Sequence, residues 1–556
     1  MFRGTCIMTA SMEAHCLSFR EIPHTSKFFE SFLENFDSVA SFYAHPPTAQ
    51  GIVAAAREVR LDPPVRRSVV EILREQNSGF APGQKLSPEV SANLDRLAGG
   101  AAAIVTGQQV GLFSGPAYTF YKAVSAARTA AQARIDAVPI FWLATEDHDL
   151  AEVNHTSWVT RNGLARYELP AAAADSGRHV GEVRLGDAIQ SLADSAAQTL
   201  EGPAAEEVGR ALRESYSSEE TYGSAFGKLM ARFLAPRGII FIDPFDARLH
   251  RLCAYVYRRA IEDAAVLSDA LLGRTQELES RGFHAQVKVT RETTLLFLDV
   301  QGRREPIRLR NGKFSAGPAE FSRDELLAEL ARNPQAFTPS ALLRPIVQDS
   351  LLPTAAYFGG PAEIAYWAQS QVVYRHILGR MPALLPRASF TLVTEPLTRF
   401  LGHYGLDFRD LFRGPQHVRL AMEQKSIPAG LAERFDAAEK NLGAMLKEFT
   451  EPLRQLDSTL LETLESAERK ILHQLAQLRG KAGRAENFRS GVLDRKERIL
   501  FDSLYPDGGL QERTLSLLPF LAAHGPELLD ELARLSSVPG TEAAPPWASQ
   551  HHVLYL

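Results

Sequence analysis

Residues 101–149 constrain the fold more than any other part of the chain. Residues 101–106 form a short apolar run, 107–116 a glycine-rich turn, 116–134 a helix-length segment and 138–144 a second apolar run. Strand, turn, helix, strand in that order is a βαβ unit, which predicts parallel pairing and a right-handed crossover. The second strand runs straight into Thr145-Glu146-Asp147-His148-Asp149. Three carboxylates and an imidazole in four residues do not suit a core. They are expected at the carboxyl end of the sheet, where open α/β sheets bind ligands. An enzyme is therefore the leading reading.

Three roles are open to that cluster. Glu146, Asp147, His148 and Asp149 are candidate catalytic or substrate-orienting groups, with His148 able to take a proton from an attacking amine near neutral pH. The same side chains offer oxygen ligands to a divalent ion. One of the acids also suits the N-terminus of the next helix. Asn154 and His155 follow, with His155 two turns beyond His148 if the intervening segment is helical.

The turn carries Gly107, Gln108, Gln109, Gly111, Ser114 and Gly115, followed by Pro116. Proline suits a first helical turn, and the free N–H groups of a helix start suit an anion. The glycine spacing is neither of the standard nucleotide-loop patterns. The bland reading is a tight turn that lets the helix pack on its strand. Phe113-Ser114-Gly115-Pro116-Ala117, with Tyr121 four residues on, has an echo in Phe358-Gly359-Gly360-Pro361-Ala362 with Tyr366. In the echo, Gly360, Glu363, Tyr366 and Gln369 suggest a second polar helix start. Arg344 can take a carboxylate bidentately or pair with Asp349, and Gln348 lies one turn on. Lys122 is a weaker anion-binding candidate.

Further strands are expected at 238–242, 285–289, 294–300, 354–358 and 383–392, and a basic hairpin at 302–314. Residues 18–97 read as helical. Insertions off the sheet are expected at about 152–235 and 301–340. From Leu442 to Leu478, apolar residues recur at a 3-4-4 spacing, which predicts a long helix with a nearly straight seam. Pro452 is expected to kink it or mark a helix start, Gly480 to Gly483 to make a turn, and residues 485–504 to return antiparallel. Such an arm has little core of its own and is expected to pair with a second copy, giving a homodimer. The ranges that follow are a tail at 1–15, a core at 16–425, an arm at 426–504 and a C-terminal segment at 505–556 that packs back, ending in a last strand.

Net charge is −5 over 556 residues without a basic block, so nucleic acid is not an expected partner. No apolar run has the length of a membrane span, and the start lacks a secretory apolar stretch. Cys6, Cys16 and Cys253 are too few for a disulfide framework, so the chain reads as reduced and cytoplasmic.

The stretches 107–116, 142–149, Asn154-His155, Arg344-Pro345, Gln348-Asp349, Gly359-Gly360-Pro361-Ala362-Glu363 and Leu510-Gln511-Glu512-Arg513 together resemble the bacillithiol biosynthesis cysteine-adding enzymes, as does the opening Ser18-Phe19-Arg20-Glu21-Ile22-Pro23. The resemblance implies an α/β, Rossmann-like parallel-sheet core with inserted connecting segments, plus an α-helical coiled-coil domain that dimerises. It also implies a ligase that joins the carboxyl of cysteine to the amine of glucosaminyl malate. A carboxyl must be activated before an amine attacks it, so ATP or another nucleotide is the chemical expectation; a divalent metal stays open. A sugar-nucleotide transferase holding a metal–diphosphate on Asp147 and Asp149 is one rival, and a non-catalytic coiled-coil scaffold is the other.

Overall fold

The computed structural model describes residues 13–81, 83, 85–425, 429–490, 492–536 and 550–556. Its centre is a parallel sheet in the order Ala383–Pro386, Thr354–Gly359, Ala102–Gln108, Ala137–Leu143, Ile240–Ile242. Every residue of Ala137–Leu143 is buried, as a near-continuous apolar run must be when helices cover both faces of its sheet. On one face, Phe120 and Val124 of the helix Tyr118–Gln132 pack with Phe141 and Leu143. On the other, Ile364 and Trp367 of the helix Pro361–Ile377 pack with Trp142 and Tyr357. The two crossovers thus leave adjacent strands in opposite directions, and a crevice opens at the carboxyl ends between Ala102–Gln108 and Thr354–Gly359.

The outer strand Ile240–Ile242 is covered by a helix, Pro63–Phe80. Asn77 donates to the Phe241 carbonyl at 2.7 Å and accepts from its N–H at 2.8 Å, so the open edge is satisfied by a side-chain amide. Residues 285–289 form no strand. The Val287 backbone is held instead by the Gln369 amide, at 2.8 and 2.9 Å, which removes Gln369 from the expected polar helix start. Thr293–Val300 is a strand, but of an inserted antiparallel sheet in the order Ala319–Phe321, Lys313–Ala316, Arg303–Arg310, Thr293–Val300, Phe337–Pro339. The expected basic hairpin is its middle.

The single strand expected at 383–392 breaks in two. Ala383–Pro386 ends the central sheet, and Ser389–Val393 starts a third sheet with His551–Tyr555 and Glu13–Leu17. Residues 13–15, expected in the tail, are therefore paired with the C-terminal strand; residues 1–12 lie outside the described residues. The helices Leu518–His524 and Leu528–Leu535 return to the core, against the Ala205–Ser215 and Tyr118–Gln132 helices.

The arm folds differently from its expectation. Helices Ala429–Glu448 and Thr450–Leu456 run out, and Leu460–Ser490 runs back. The reversal lies at 457–459, where the Asp457 carboxylate accepts from the Thr459 N–H and hydroxyl, both at 2.9 Å. Arg479 then meets Asp436 across the hairpin at 2.6 Å. The 3-4-4 spacing therefore serves two antiparallel helices. Gly480 to Gly483 is helical rather than a turn. A Cβ on Gly483 would lie 2.4 Å from the Glu423 carbonyl oxygen, so glycine there permits close helix approach. Pro452 lies in the first turn of the helix that begins at Thr450. Among the described residues, no helix is long and apolar enough to cross a membrane.

Candidate functional site

The crevice is a cleft of about 640 Å³. Its walls come from the ends of the central strands, both crossover helices, the inserted sheet and the C-terminal segment. Its two ends differ in chemistry.

The acidic end lies where Ala137–Leu143 stops. The Ala144 N–H donates to the Gln108 carbonyl at 3.1 Å, and the N–H groups of Val180 and Gly181 hold the carbonyls of Asp147 and Thr145 at 2.7 and 2.9 Å. Gln109 donates to Asp147 Oδ2 at 2.6 Å, and the His148 N–H donates to Oδ1 at 2.8 Å. Arg304 approaches the same Oδ1 at 3.4 Å. Burial works against an ionised Asp147, but the contacts with His148, Arg304 and Gln109 outweigh it and hold the carboxyl well below its usual range. Arg304 also donates to His148 Nδ1 at 3.0 Å, a shorter contact than the 3.4 Å between Nδ1 and Asp147. Since arginine only donates, Nδ1 accepts, and the ring proton of neutral His148 sits on Nε2. The guanidinium itself rests 3.8 Å from the Phe297 ring centroid and is fastened to the Pro339 carbonyl at 2.8 Å.

Glu146 departs from the expectation of an exposed acid, since only 6% of it is accessible. Burial, reinforced by Asp243 and Asp147 against the pull of Arg304 and Arg344, pushes its carboxyl up to about 8. The imidazole of His250 lies 3.4 Å away, equally buried, and burial pulls it down to about 4. At neutral pH the two face each other as a neutral pair. A carboxyl titrating near 8 is matched to proton transfer at working pH.

The other end is rich in cations. Lys122 donates to the Gly107 carbonyl at 2.9 Å, to Gln108 at 2.7 Å and to Glu363. Its three protons have three acceptors, so it is a structural cation rather than an anion receptor. Glu363 accepts in addition from the Gly360 N–H at 2.8 Å and the Tyr357 hydroxyl at 2.6 Å. Arg344 donates to Gln348 at 3.1 Å, Tyr366 at 3.1 Å and Tyr357 at 3.4 Å. It does not pair with Asp349, which is bound by Tyr374 and Gln348. Arg387, at the break between the two short strands, pairs with buried Glu512 at 2.7 Å and lies 5.0 Å from the Tyr118 ring.

Of the expected residues, Gly107, Gln108, Gln109, Glu146, Asp147, His148, Arg344, Gly360, Glu363 and Tyr366 line the cleft. Gln348 stands behind Arg344. Asp149 does not reach the cleft. It caps the short helix Leu150–Val153 by accepting from the Glu152 N–H at 3.2 Å, the third of the roles open to the cluster. The carboxylates of Asp147 and Asp149 thus serve different partners, against the metal–diphosphate arrangement. Among the described residues no three His, Cys, Asp or Glu side chains form a metal-ligand group. His155 begins a strand and Asn154 fastens it to the Leu169 carbonyl at 3.1 Å; neither lines the cleft. Gly111, Ser114 and Gly115 are buried beneath the C-terminal segment. The helix starts at Tyr118, later than expected, and the Ala117 N–H before it donates to the Leu515 carbonyl at 2.7 Å. That helix start offers the cleft no anion site. Arg304, Arg387 and Arg513 were not expected in the site. The only sequence traces of them are the basic hairpin for the first and the Leu510–Arg513 match for the last.

Residues 12–388 match the family model described as "Bacillithiol biosynthesis BshC, N-terminal Rossmann-like domain", and residues 390–543 the one described as "Bacillithiol biosynthesis BshC, C-terminal coiled-coil domain". The two models meet at the break between the Ala383–Pro386 and Ser389–Val393 strands. Relatives named "Putative cysteine ligase BshC" include those of Koribacter versatilis (37% identical, over 93% of this chain and 96% of that one), Solibacter usitatus (37%, over 93% and 96%) and Salinibacter ruber (32%, over 91% and 93%). A solved structure titled "putative arginyl t-RNA synthetase" from Campylobacter jejuni aligns at 10% identity over 84% of this chain and 97% of that one, with a TM-score of 0.21, too loose a superposition to describe a shared fold.

Proposed function

The chain belongs to the BshC family of bacillithiol biosynthesis, and from that premise we propose that it joins the carboxyl of cysteine to the amine of glucosaminyl malate. One observation carries the reading: a single cleft has an ionised carboxylate and a carboxyl that titrates near 8 at one end and arginines at the other. Glucosaminyl malate is an amine at one end and a dicarboxylate at the other.

Asp147, ionised at all working pH values, attracts the acceptor as its ammonium. The amine must be neutral to attack. The ammonium beside Glu146 favours its ionised form, so Glu146 first gives its own proton to water and then takes the amine's, its affinity being close to that of an amine. The nitrogen lone pair then forms the C–N bond at the activated cysteine acyl carbon, the activating group leaves with the acyl C–O bond pair, and the surplus proton left on nitrogen passes to water. His148, with its proton on Nε2, suits the oxygen on which charge develops. This assigns proton transfer to Glu146 rather than to His148.

The reading extends to assembly and place. Met445, Phe449, Leu456 and Leu478 stay 48–78% exposed on the arm, which supports pairing with a second copy, and a reduced cytoplasm suits a cysteine substrate.

Mass spectrometry of the purified protein with glucosaminyl malate, cysteine and ATP, each omitted in turn, tests the reaction. Cysteinyl product that needs both glucosaminyl malate and cysteine supports it, and its loss in Glu146→Gln and Asp147→Asn supports the assigned roles. Full bacillithiol in cells relying on the Asp147→Asn variant would overturn them. Sedimentation of wild type and Leu456→Glu tests assembly: a dimer turned to monomer supports the arm contact.

A further inference from the structure

The cationic end of the cleft has four cations nearby: Lys122, Arg344, Arg387 and Arg513. Two are neutralised within the protein. Glu363 pairs with Lys122, and Glu512 pairs with Arg387. Among the described residues Arg344 hydrogen-bonds only an amide and two phenols, and nearby Glu363 is already paired with Lys122. Arg513 is exposed, and among the described residues its guanidinium has no hydrogen bond or ion pair, although it lines the cleft. Two arginines without an ion pair of their own among the described residues remain on one wall.

The residues before Arg513 explain how it is held there. Gln511 is buried and clamps the Leu392 backbone, accepting from its N–H and donating to its carbonyl, both at 2.9 Å, and it donates to the Ser503 carbonyl at 2.7 Å. Glu512 is buried and accepts from Arg387 at 2.7 Å, the Ser389 hydroxyl at 2.8 Å and the Phe390 N–H at 3.0 Å. Both side chains bind the Ser389–Val393 strand and its lead-in, so the turn Gln511–Thr514 is fixed against the sheet. The third residue of the run points the other way, at the cleft. A free guanidinium on a clamped backbone at the cleft wall is held ready to take a carboxylate bidentately.

We propose that Arg513 is a specificity-determining residue that binds one carboxylate of the acceptor, with Arg344 taking the other. The C-terminal segment thereby completes a site whose remaining walls belong to the Rossmann-like part. The proposal rests on the ligase reading for the identity of the acceptor, but the receptor it describes, for a small dicarboxylate, can be measured without turnover.

Calorimetric titration with malate dianion tests it directly, on wild type, Arg513→Gln and Arg513→Lys. Arg513 is exposed, so unchanged melting temperatures are expected and serve as the folding control. Wild type is expected to bind malate, Arg513→Gln to lose tenfold or more in affinity, and Arg513→Lys to keep part of it. Turnover supplies the second arm: KM for glucosaminyl malate rises in Arg513→Gln, kcat stays within about twofold, and neither changes for methyl glucosaminide, which carries the amine without the carboxylates. Equal malate affinity in wild type and Arg513→Gln overturns the proposal, as does wild type that binds no malate, or an equal loss with both amines. Wild type that binds malate through Arg513 but ligates no cysteine keeps the receptor and overturns the ligase reading instead.

Discussion

Two turns with nearly the same spelling meet opposite fates. Phe113-Ser114-Gly115-Pro116-Ala117 and Phe358-Gly359-Gly360-Pro361-Ala362 both follow a central strand and lead into a crossover helix. In the first, Phe113, Ser114 and Gly115 all have positive φ, of 49, 74 and 62°, and two residues separate Gly115 from the helix start at 118. Ser114 lies 3.2 Å from Ser516, and Leu515 covers the Ala117 N–H. In the second, Gly360 is extended, the helix starts at Pro361, and Glu363 caps it from within the cleft. Tyr121 is packed on Phe390, whereas Tyr366 faces Arg344. The lesson is that a helix start becomes a binding element only where nothing in the fold reaches it first. At one turn the C-terminal segment does so, and at the other it stops short. Lys122 then ties the two crossovers together through Glu363.

The tie should be the costliest part to break. Lys122→Met leaves the Glu363 carboxylate buried without its cation, and a loss of about 3–5 kcal/mol is expected in denaturant titration. Adding Glu363→Leu should recover most of it. A neutral single variant would mean that the crossovers are held by packing alone.

The acid segment facing the open half of the first turn comes next. Glu146 binds its proton more tightly when folded, so stability falls as pH rises from about 4.5 to about 8. His250, pulled down to about 4, acts oppositely below 6.5, which leaves the interval from 6.5 to 8 as the clean window. There wild type should lose roughly 1.4 kcal/mol per pH unit relative to Glu146→Gln. Parallel stability curves for the two would refute a protonated buried Glu146.

The two glycines separate stability from binding. Gly115 has φ 62° and ψ −155°, so Gly115→Ala should cost about 1–3 kcal/mol and leave KM unchanged. Gly360→Ala puts a Cβ 3.5 Å from the Glu363 carboxylate and 3.6 Å from Arg387, which is ordinary contact. It should keep its melting temperature and raise KM. The reverse pattern would exchange the roles of the two turns.

The smallest effects lie within the first loop. Ser114→Ala should cost about 1 kcal/mol at most, without a change in rate. Gln109→Leu removes a donor from Asp147, lets its carboxyl rise toward the usual range, and should slow ligation. Equal kinetics for the two would place the whole loop outside the site.

Much of this is legible in the sequence. An apolar run that stops at Leu143 and meets four titratable residues reads as a strand emptying into a cleft, and the positions of Asp147 and His148 follow from that, whereas the burial of Glu146 does not. Asp149 stood with them as a catalytic candidate and proves to be a cap, the local use that an acid just before a helix start has. The arm shows the limit of such reasoning. Its 3-4-4 spacing established helix and apolar seam, yet it is the same for one long helix and for two folded back at Asp457, and Gly483 reads as a turn or as a close contact.

By itself the sequence determined what depends on neighbours along the chain: the βαβ order, the acid cluster at a strand end and the family motifs. Only the tertiary structure decided which charges share the cleft. Arg304 comes from an inserted sheet 157 residues beyond Asp147, Arg387 from a strand break, and Arg513 from a segment that returns after the arm. Periodicity, capping and turn chemistry act over a few residues. A contact between distant residues leaves no local pattern, and the charge at each end of the cleft is set by which pairs neutralise one another in space.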